Sequence, residues 1–138
     1  MMDQTATLKA FLAASPYIKF LGMSASLEGQ LVTAKLPFRR RLIGNPLIPA
    51  LHGGVLGAFM EMTALAQLAV AEPSGRMPKT IDVTIEYLRP GRAQDLYARA
   101  DLRKVGRRIA NVHVECWQES PETPVAALRG HFLLRNET

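Results

Sequence analysis

The sequence predicts an α+β fold in which a curved antiparallel β-sheet wraps around one long central helix. Three observations carry this. Four segments after residue 78 alternate apolar and polar residues with period 2 and are separated by short turns, the pattern of an antiparallel sheet with one face on a core. A single segment, residues 53–72, is too long and too evenly apolar for a strand, and Pro73-Ser74-Gly75 ends it. The chain has 138 residues, 48% hydrophobic and 21% charged, enough for one domain (1–138) with a real core. A sheet with one apolar face needs a cover, and this helix alone can supply it.

The elements follow in chain order. Residues 1–15 are expected to form a helical extension, with a short helix over 4–13. Its opening, MMDQTATLKAFLAAS, has an acid early and no basic stretch before its apolar run, so it reads as an amphipathic helix rather than a signal peptide. Residues 18–27 and 30–36 read as strands around the turn Glu28-Gly29. Residues 37–51 read as a loop, with Pro37, Gly44, Pro46 and Pro49 breaking it and Arg39, Arg40 and Arg41 solvated within it. After the helix, Ile81, Val83, Ile85 and Tyr87 share one face of a strand over Lys79–Arg89, with Thr80, Asp82, Thr84 and Glu86 on the other. Pro90-Gly91 turns into a strand over Asp95–Val105, and Gly106 into one over Arg107–Glu119. There Ala110, Val112, Val114 and Cys116 point one way, and Asn111, His113, Glu115 and Trp117 the other. The last strand covers Val125–Arg135.

Several function classes are disfavoured. The net charge of +5 favours anionic partners, but aromatic residues make up only 7% and no recognition helix or base-stacking strand is present, so nucleic acid is not the expected partner. Leu51–Ala71 is long and apolar, yet Glu61 lies at its centre, and an acid at mid-bilayer costs about 2.5–3.5 kcal/mol. A membrane span is therefore not expected. Cys116, the only cysteine, forbids an internal disulfide and agrees with a reducing, cytoplasmic setting; a small core residue is its expected role. His52, His113 and His131 are scattered without metal-ligand spacing. The two later histidines read as surface or oligomer contacts, and Asp82 as a structural hydrogen-bonding acid.

The chemistry concentrates in Asn45–Glu61, NPLIPALHGGVLGAFME. Burying a lone carboxylate in an apolar helix costs several kcal/mol unless it has a use or a partner. Gly53-Gly54 at the helix start leaves backbone N–H groups open where the helix dipole favours negative charge. Gly54, Gly57, Ala58, Glu61, Ala64, Leu65 and Leu68 recur at helical spacing and place small residues around Glu61, while Val55, Leu56, Phe59, Met62 and Ala66 carry bulk on the opposite face. His52 and Glu61 are nine residues apart, about 13 Å along a helix axis and on opposite sides of it. One helix cannot bring both to one substrate, so a shared site requires a two-fold dimer.

The segment LHGGVLGAFMEM resembles the helix start of hotdog-fold acyl-CoA thioesterases, in the branch that includes the phenylacetate-pathway thioesterases. The stretch Thr80-Ile81-Asp82-Val83-Thr84-Ile85-Glu86-Tyr87-Leu88-Arg89-Pro90 is similar to that branch's third strand with its Tyr-x-x-Pro turn, and a weaker likeness runs from about Ile18 to Leu134. The resemblance implies a hotdog fold and thioester hydrolysis. It assigns Glu61 as the catalytic acid, Gly53 N–H as donor to the thioester carbonyl, His52 as a loop-orienting or thioester-touching residue, and Thr80 as the hydroxyl that positions water. Asn45 stands for the family's Asn or Gln, seven residues before His52 and one more than the family spacing.

Under that resemblance the substrate is an acyl- or aryl-CoA and no metal or other cofactor is required. Gly54, Arg89, Lys104, Arg107 and Arg108 are the candidate coenzyme A contacts, the cations lying at strand ends where the nucleotide is expected to rest. Glu61 acts either as general base for water or as a nucleophile forming an anhydride; sequence leaves both open. A homodimer, extended to a homotetramer through sheet faces, is expected. Three rivals stay open: a non-catalytic acyl-CoA sensor on the same fold, a thioesterase for acyl-carrier protein, whose acidic surface would suit the basic chain, and a CoA-thioester dehydratase. The last is disfavoured because no histidine follows Gly54 on the helix.

Overall fold

The computed structural model describes residues 3–45, 47, 50–72 and 77–134, with only the backbone at Asn45. Helices α1 (Gln4–Ala14) and α2 (Pro16–Leu21) precede strands β1 (Ser24–Glu28) and β2 (Leu31–Leu36). A short ladder, β3 (Ile43–Asn45) and β4 (Ala50–Leu51), leads into α3 (Gly53–Ala71), followed by β5 (Lys79–Tyr87), β6 (Leu96–Val105), β7 (Ile109–Trp117) and β8 (Ala126–Leu133). The six longer strands form one sheet in the order β1-β2-β6-β7-β8-β5, antiparallel at every join. The curved sheet packs on α3 with the hotdog architecture that the sequence predicts.

One expected strand begins later than predicted. Residues 16–21 form a helix, so Ile18 is not in a strand. The local signals are complete: Ser15 Oγ accepts from Ile18 N–H, Pro16 sits at the helix start, and Gly22 ends it at φ 76°. Apolar Ile18 and Leu21, read as strand alternation, are three apart and share a helical face.

The inner face of the sheet carries the predicted residues. Ala110, Val112, Val114 and Cys116 of β7 are buried, as are Leu128 and Phe132 of β8. They join Leu56, Phe59, Met60 and Leu68 of α3 in one apolar core. Burying each large side chain of this kind is worth about 1.5–3 kcal/mol. The helix is long and apolar enough to cross a bilayer, but 61% of its apolar window is buried inside the protein.

A polar clamp fixes the far end of α3. Gln67 is 5% exposed. Its Oε1 accepts Val32 N–H at 2.8 Å, and its Nε2 donates to the Gln30 carbonyl at 2.8 Å. The helix thereby holds the β1–β2 turn. α1 packs over the same half of α3, where Gln4 Nε2 donates to the Val70 carbonyl.

A bulge in β5 changes which residues face the helix. Thr80 pairs with Phe132 and Asp82 with His131, leaving Ile81 as the extra residue. Simple alternation puts Thr80 outward and Ile81 inward. The bulge reverses the phase at that end, so Thr80 turns inward beside Phe132, while Ile81 is 51% exposed.

Two outcomes test this packing. Gln67→Leu strands the buried Val32 N–H, so denaturant unfolding should show a loss of about 1–3 kcal/mol. Burial pushes the Cys116 thiol up from 9.0 to about 12. The folded chain therefore keeps this proton where the unfolded chain releases it. Its share of stability is intact below pH 9 and lost as pH rises toward 12, and a thiol-trapping dye should label Cys116 only after denaturation.

Candidate active site

The helix start is held by several bonds, one of which uses a predicted ligand donor. His52 N–H donates to the Leu42 carbonyl at 2.8 Å, and the His52 carbonyl accepts Val55 N–H at 2.9 Å and Leu56 N–H at 3.2 Å. His52 Nδ1 accepts Gly54 N–H at 2.9 Å, which makes the imidazole the N-cap of α3. Gly54 N–H is thus engaged within the protein. With Nδ1 accepting, the neutral ring carries its proton on Nε2. His52 is exposed, and neither its Nε2 nor Gly53 N–H has a partner among the described residues. A Cβ at Gly44 would come within 3.1 Å of His52 Cα, so a glycine there lets the histidine sit close.

Glu61 lies two turns further along, half-buried. Thr80 Oγ1 donates to Glu61 Oε2 at 2.8 Å, which satisfies one carboxylate oxygen. Gly54, Ala58, Glu61, Met62 and Leu65 are the incompletely covered stripe of α3, spaced at i, i+4, i+7, i+8 and i+11. The face read from the sequence differs: its Gly57, Ala64 and Leu68 are buried, whereas Met62 and Val55, placed there on the opposite bulky face, are only partly covered. A Cβ on Gly57 would meet Ile85 Cδ1 at 2.7 Å, so glycine there lets β5 approach the helix.

Within one chain the predicted residues fall into two groups. Gly53, His52, Gly54 and Arg89 cluster at the helix start. Gly53, Leu56, Tyr87, Leu88 and Arg89 line an open groove of about 340 Å³ there. The Arg89 guanidinium donates to the Pro124 carbonyl. Glu61 and Thr80 form the second group, eight residues of helix from Gly53 and therefore about 12 Å along the axis. Lys104, Arg107 and Arg108 are exposed on the β6–β7 hairpin, at the Thr80 end of the sheet, where Lys79 pairs with Leu133 and Leu133 with Ile109. Asn45 ends β3, and its side chain lies outside the described residues.

One contact was not anticipated. Tyr87 Oη donates to the Gly53 carbonyl at 2.9 Å, and its ring lies against Gly53. The available signal was a tyrosine ending the apolar face of β5, since a hydroxyl on such a face needs a partner.

The opposite face of the sheet is polar. His131 Nδ1 lies 2.8 Å from Asp82 Oδ1, and His113 faces outward beside Arg129 and Asp101. Trp117 is outward too but largely buried, stacked on Tyr97 with Arg99 over its ring. A cavity of about 710 Å³ opens there between Arg99, His113, Trp117 and Arg129. Among the described residues no group of three or more His, Cys, Asp or Glu side chains could hold a metal ion.

The chain is similar to known proteins in sequence and in fold. The medium/long-chain acyl-CoA thioesterase YigI of Escherichia coli K12 is 27% identical over 125 residues, 79% of each chain. A crystal structure of a Chromobacterium violaceum protein is 38% identical over all of both chains, with a TM-score of 0.76. The structure of a phenylacetic acid degradation-related protein of Ralstonia eutropha is 22% identical over 92% of this chain and 98% of its own. Its TM-score of 0.78 is a likeness of fold. Residues 49–125, which span the helix start, Glu61, Thr80 and Arg89, match the thioesterase superfamily, and the chain belongs to that family.

Proposed function

We propose that the protein hydrolyses an acyl- or aryl-CoA thioester to the free acid and coenzyme A, as a homodimer whose sites each draw on both subunits. The observation that carries this reading is Glu61, held by Thr80 Oγ1 at 2.8 Å on the same helix whose start offers a Gly53 N–H without a partner among the described residues. Gly53 N–H donates a hydrogen bond to the thioester oxygen as negative charge develops on it, a type of donor worth about 2.7–4 kcal/mol. Glu61 takes a proton from water that adds to the carbonyl, or attacks the carbonyl itself to form an anhydride that water then opens. In both routes the C–S bond breaks and the thiolate leaves and is protonated. Thr80 keeps the carboxylate aimed in either case.

The two groups lie about 12 Å apart along one helix, too far for one reacting carbon, which is the argument for a shared site. β5, nine residues long, is an edge strand of the sheet. Two β5 strands pairing antiparallel about a two-fold near Val83–Thr84 bring the Thr80 end of one chain to the Tyr87 end of the other. Glu61 of one subunit then faces Gly53 of its partner. The same arrangement gathers Arg89 with the hairpin of Lys104, Arg107 and Arg108 around one site, a cationic rim suited to the phosphates of coenzyme A. The acyl-CoA substrate of the Escherichia coli relative supports this substrate class. The mixed charges of the outer face, Arg99, Arg103 and Arg129 with Glu86, Asp101 and Glu115, suit a further pairing of dimers into a tetramer. The reaction uses no metal or cofactor, and a cytoplasmic setting suits both the free thiol and the coenzyme A pool.

Thiol release from phenylacetyl-, benzoyl-, short-chain and long-chain acyl-CoAs should reveal turnover and the acyl class. Glu61→Gln should lower kcat by about 10²–10⁴-fold. Thr80→Val should lower it by about tenfold or more, since a hydrogen bond to a charged group is worth about 1.5–3 kcal/mol. No turnover with coenzyme A esters still bound would move the protein to a sensor role, and turnover confined to acyl-carrier thioesters would change the substrate. Subunit mixing tests the shared site. Gly53→Pro removes the N–H at a position where proline suits a helix. Glu61→Gln and Gly53→Pro should each be inactive, while their mixture should regain about a quarter of wild-type activity through heterodimers with one intact site. A fully active monomer in light scattering, or a mixture that stays inactive, would refute the shared site.

A further inference from the structure

We infer that Tyr87 is a positioning residue for the reaction, holding through the Gly53–Gly54 peptide the outward imidazole donor of the helix start, His52 Nε2–H, beside Gly53 N–H. The inference rests on the thioesterase reading and deepens it.

The two peptide units that meet at Gly53 are held differently. The upstream unit, the His52 carbonyl with Gly53 N–H, is fixed by the backbone alone, since its carbonyl takes Val55 and Leu56 N–H. The downstream unit, from the Gly53 carbonyl to Gly54 N–H, joins two glycines, so no Cβ restrains it. Beyond the helix ladder it is held by two side chains. Tyr87 Oη donates to the Gly53 carbonyl at 2.9 Å, and Gly54 N–H donates to His52 Nδ1 at 2.9 Å.

These bonds form one chain: Tyr87 hydroxyl to peptide carbonyl, peptide N–H to imidazole, and imidazole Nε2–H outward. Each donation polarises the next group in the same sense, and such chains strengthen cooperatively. The hydroxyl therefore acts on the imidazole donor. It fixes the peptide whose Gly54 N–H meets His52 Nδ1, and it strengthens the bond that keeps the imidazole in the Nε2–H form.

Burial does not account for the tyrosine. Tyr87 is 55% exposed, and its hydroxyl has no other partner among the described residues. The ring alone would cover Gly53 as well if it were phenylalanine. What the hydroxyl adds is the bond to the carbonyl. It also ties β5, which carries Thr80, to the start of α3, so both groups of the site are referred to one strand.

Tyr87→Phe tests this because it keeps the ring and removes only the hydroxyl. On the best acyl-CoA from the thiol-release panel, kcat should fall about tenfold with KM nearly unchanged, a fraction of the 10²–10³ that a whole oxyanion donor supplies. The melting temperature should stay close to wild type. Tyr17→Phe, on α2 with its ring stacked on Phe20, should leave kcat and KM alone. A carbonyl that loses a hydrogen bond shifts its ¹³C resonance upfield, so the Gly53 carbonyl signal should move in Tyr87→Phe and stay in Tyr17→Phe. Unchanged kcat, or a fall in activity that follows a fall in melting temperature with KM rising in step, overturns the inference. A wild type inactive on every thioester removes the reaction being positioned, and the inference falls with the thioesterase reading. The carbonyl shift then still reports separately whether the hydrogen bond exists, and an unmoved Gly53 signal overturns the inference on its own account.

Discussion

The burial of one apolar helix by one sheet sets the rest of the structure. α3 has apolar residues on nearly every side, and the inner face of the sheet covers only part of its circumference. The remainder is the stripe Gly54, Ala58, Glu61, Met62 and Leu65. A carboxylate is tolerable on such a helix only on that stripe, where it is half-buried and can reach a partner. Thr80 supplies that partner, and the Glu61 side chain is consequently aimed before any substrate arrives.

That arrangement depends on strand geometry rather than residue choice alone. β5 needs its apolar residues Val83 and Ile85 against the helix, and strict alternation would then turn Thr80 to the outer face. The extra residue at Ile81 reverses the phase and brings Thr80 to Glu61. Ile81 becomes exposed as a result. Bulges commonly appear where a strand must re-aim one side chain near a site. Gly57 has the complementary role on the helix, since the backbone of α3 lies so near Ile85 that a methyl group would collide with it.

The helix start shows how few donors a glycine pair leaves free. Two adjacent glycines suggest two open N–H groups. The histidine before them caps the helix through its own side chain and uses Gly54 N–H. One backbone donor and one imidazole N–H remain outward, against a groove lined by Leu56, Leu88 and Arg89. The selectivity of the capping bond follows from ring geometry: Nδ1 reaches its own helix, and Nε2 points away from it.

Sequence alone determined the fold class, the long helix and the strand faces of β7 and β8, because periodicity is a local feature; a glycine pair and a misplaced acid singled out Gly53 and Glu61 as candidates, and the family resemblance added His52 and Thr80. Local rules also contained the α2 helix, since Ser15, Pro16 and Gly22 are capping signals that outweigh a short apolar alternation. Only tertiary structure decided which donor His52 consumes, that Thr80 faces Glu61, that Tyr87 reaches the Gly53 carbonyl, and that Arg89 and the β6–β7 hairpin lie at opposite ends of one chain. Each of these joins residues from separate elements, and each depends on strand register. A register is set by the summed packing of the whole sheet, so no local pattern of residues encodes it.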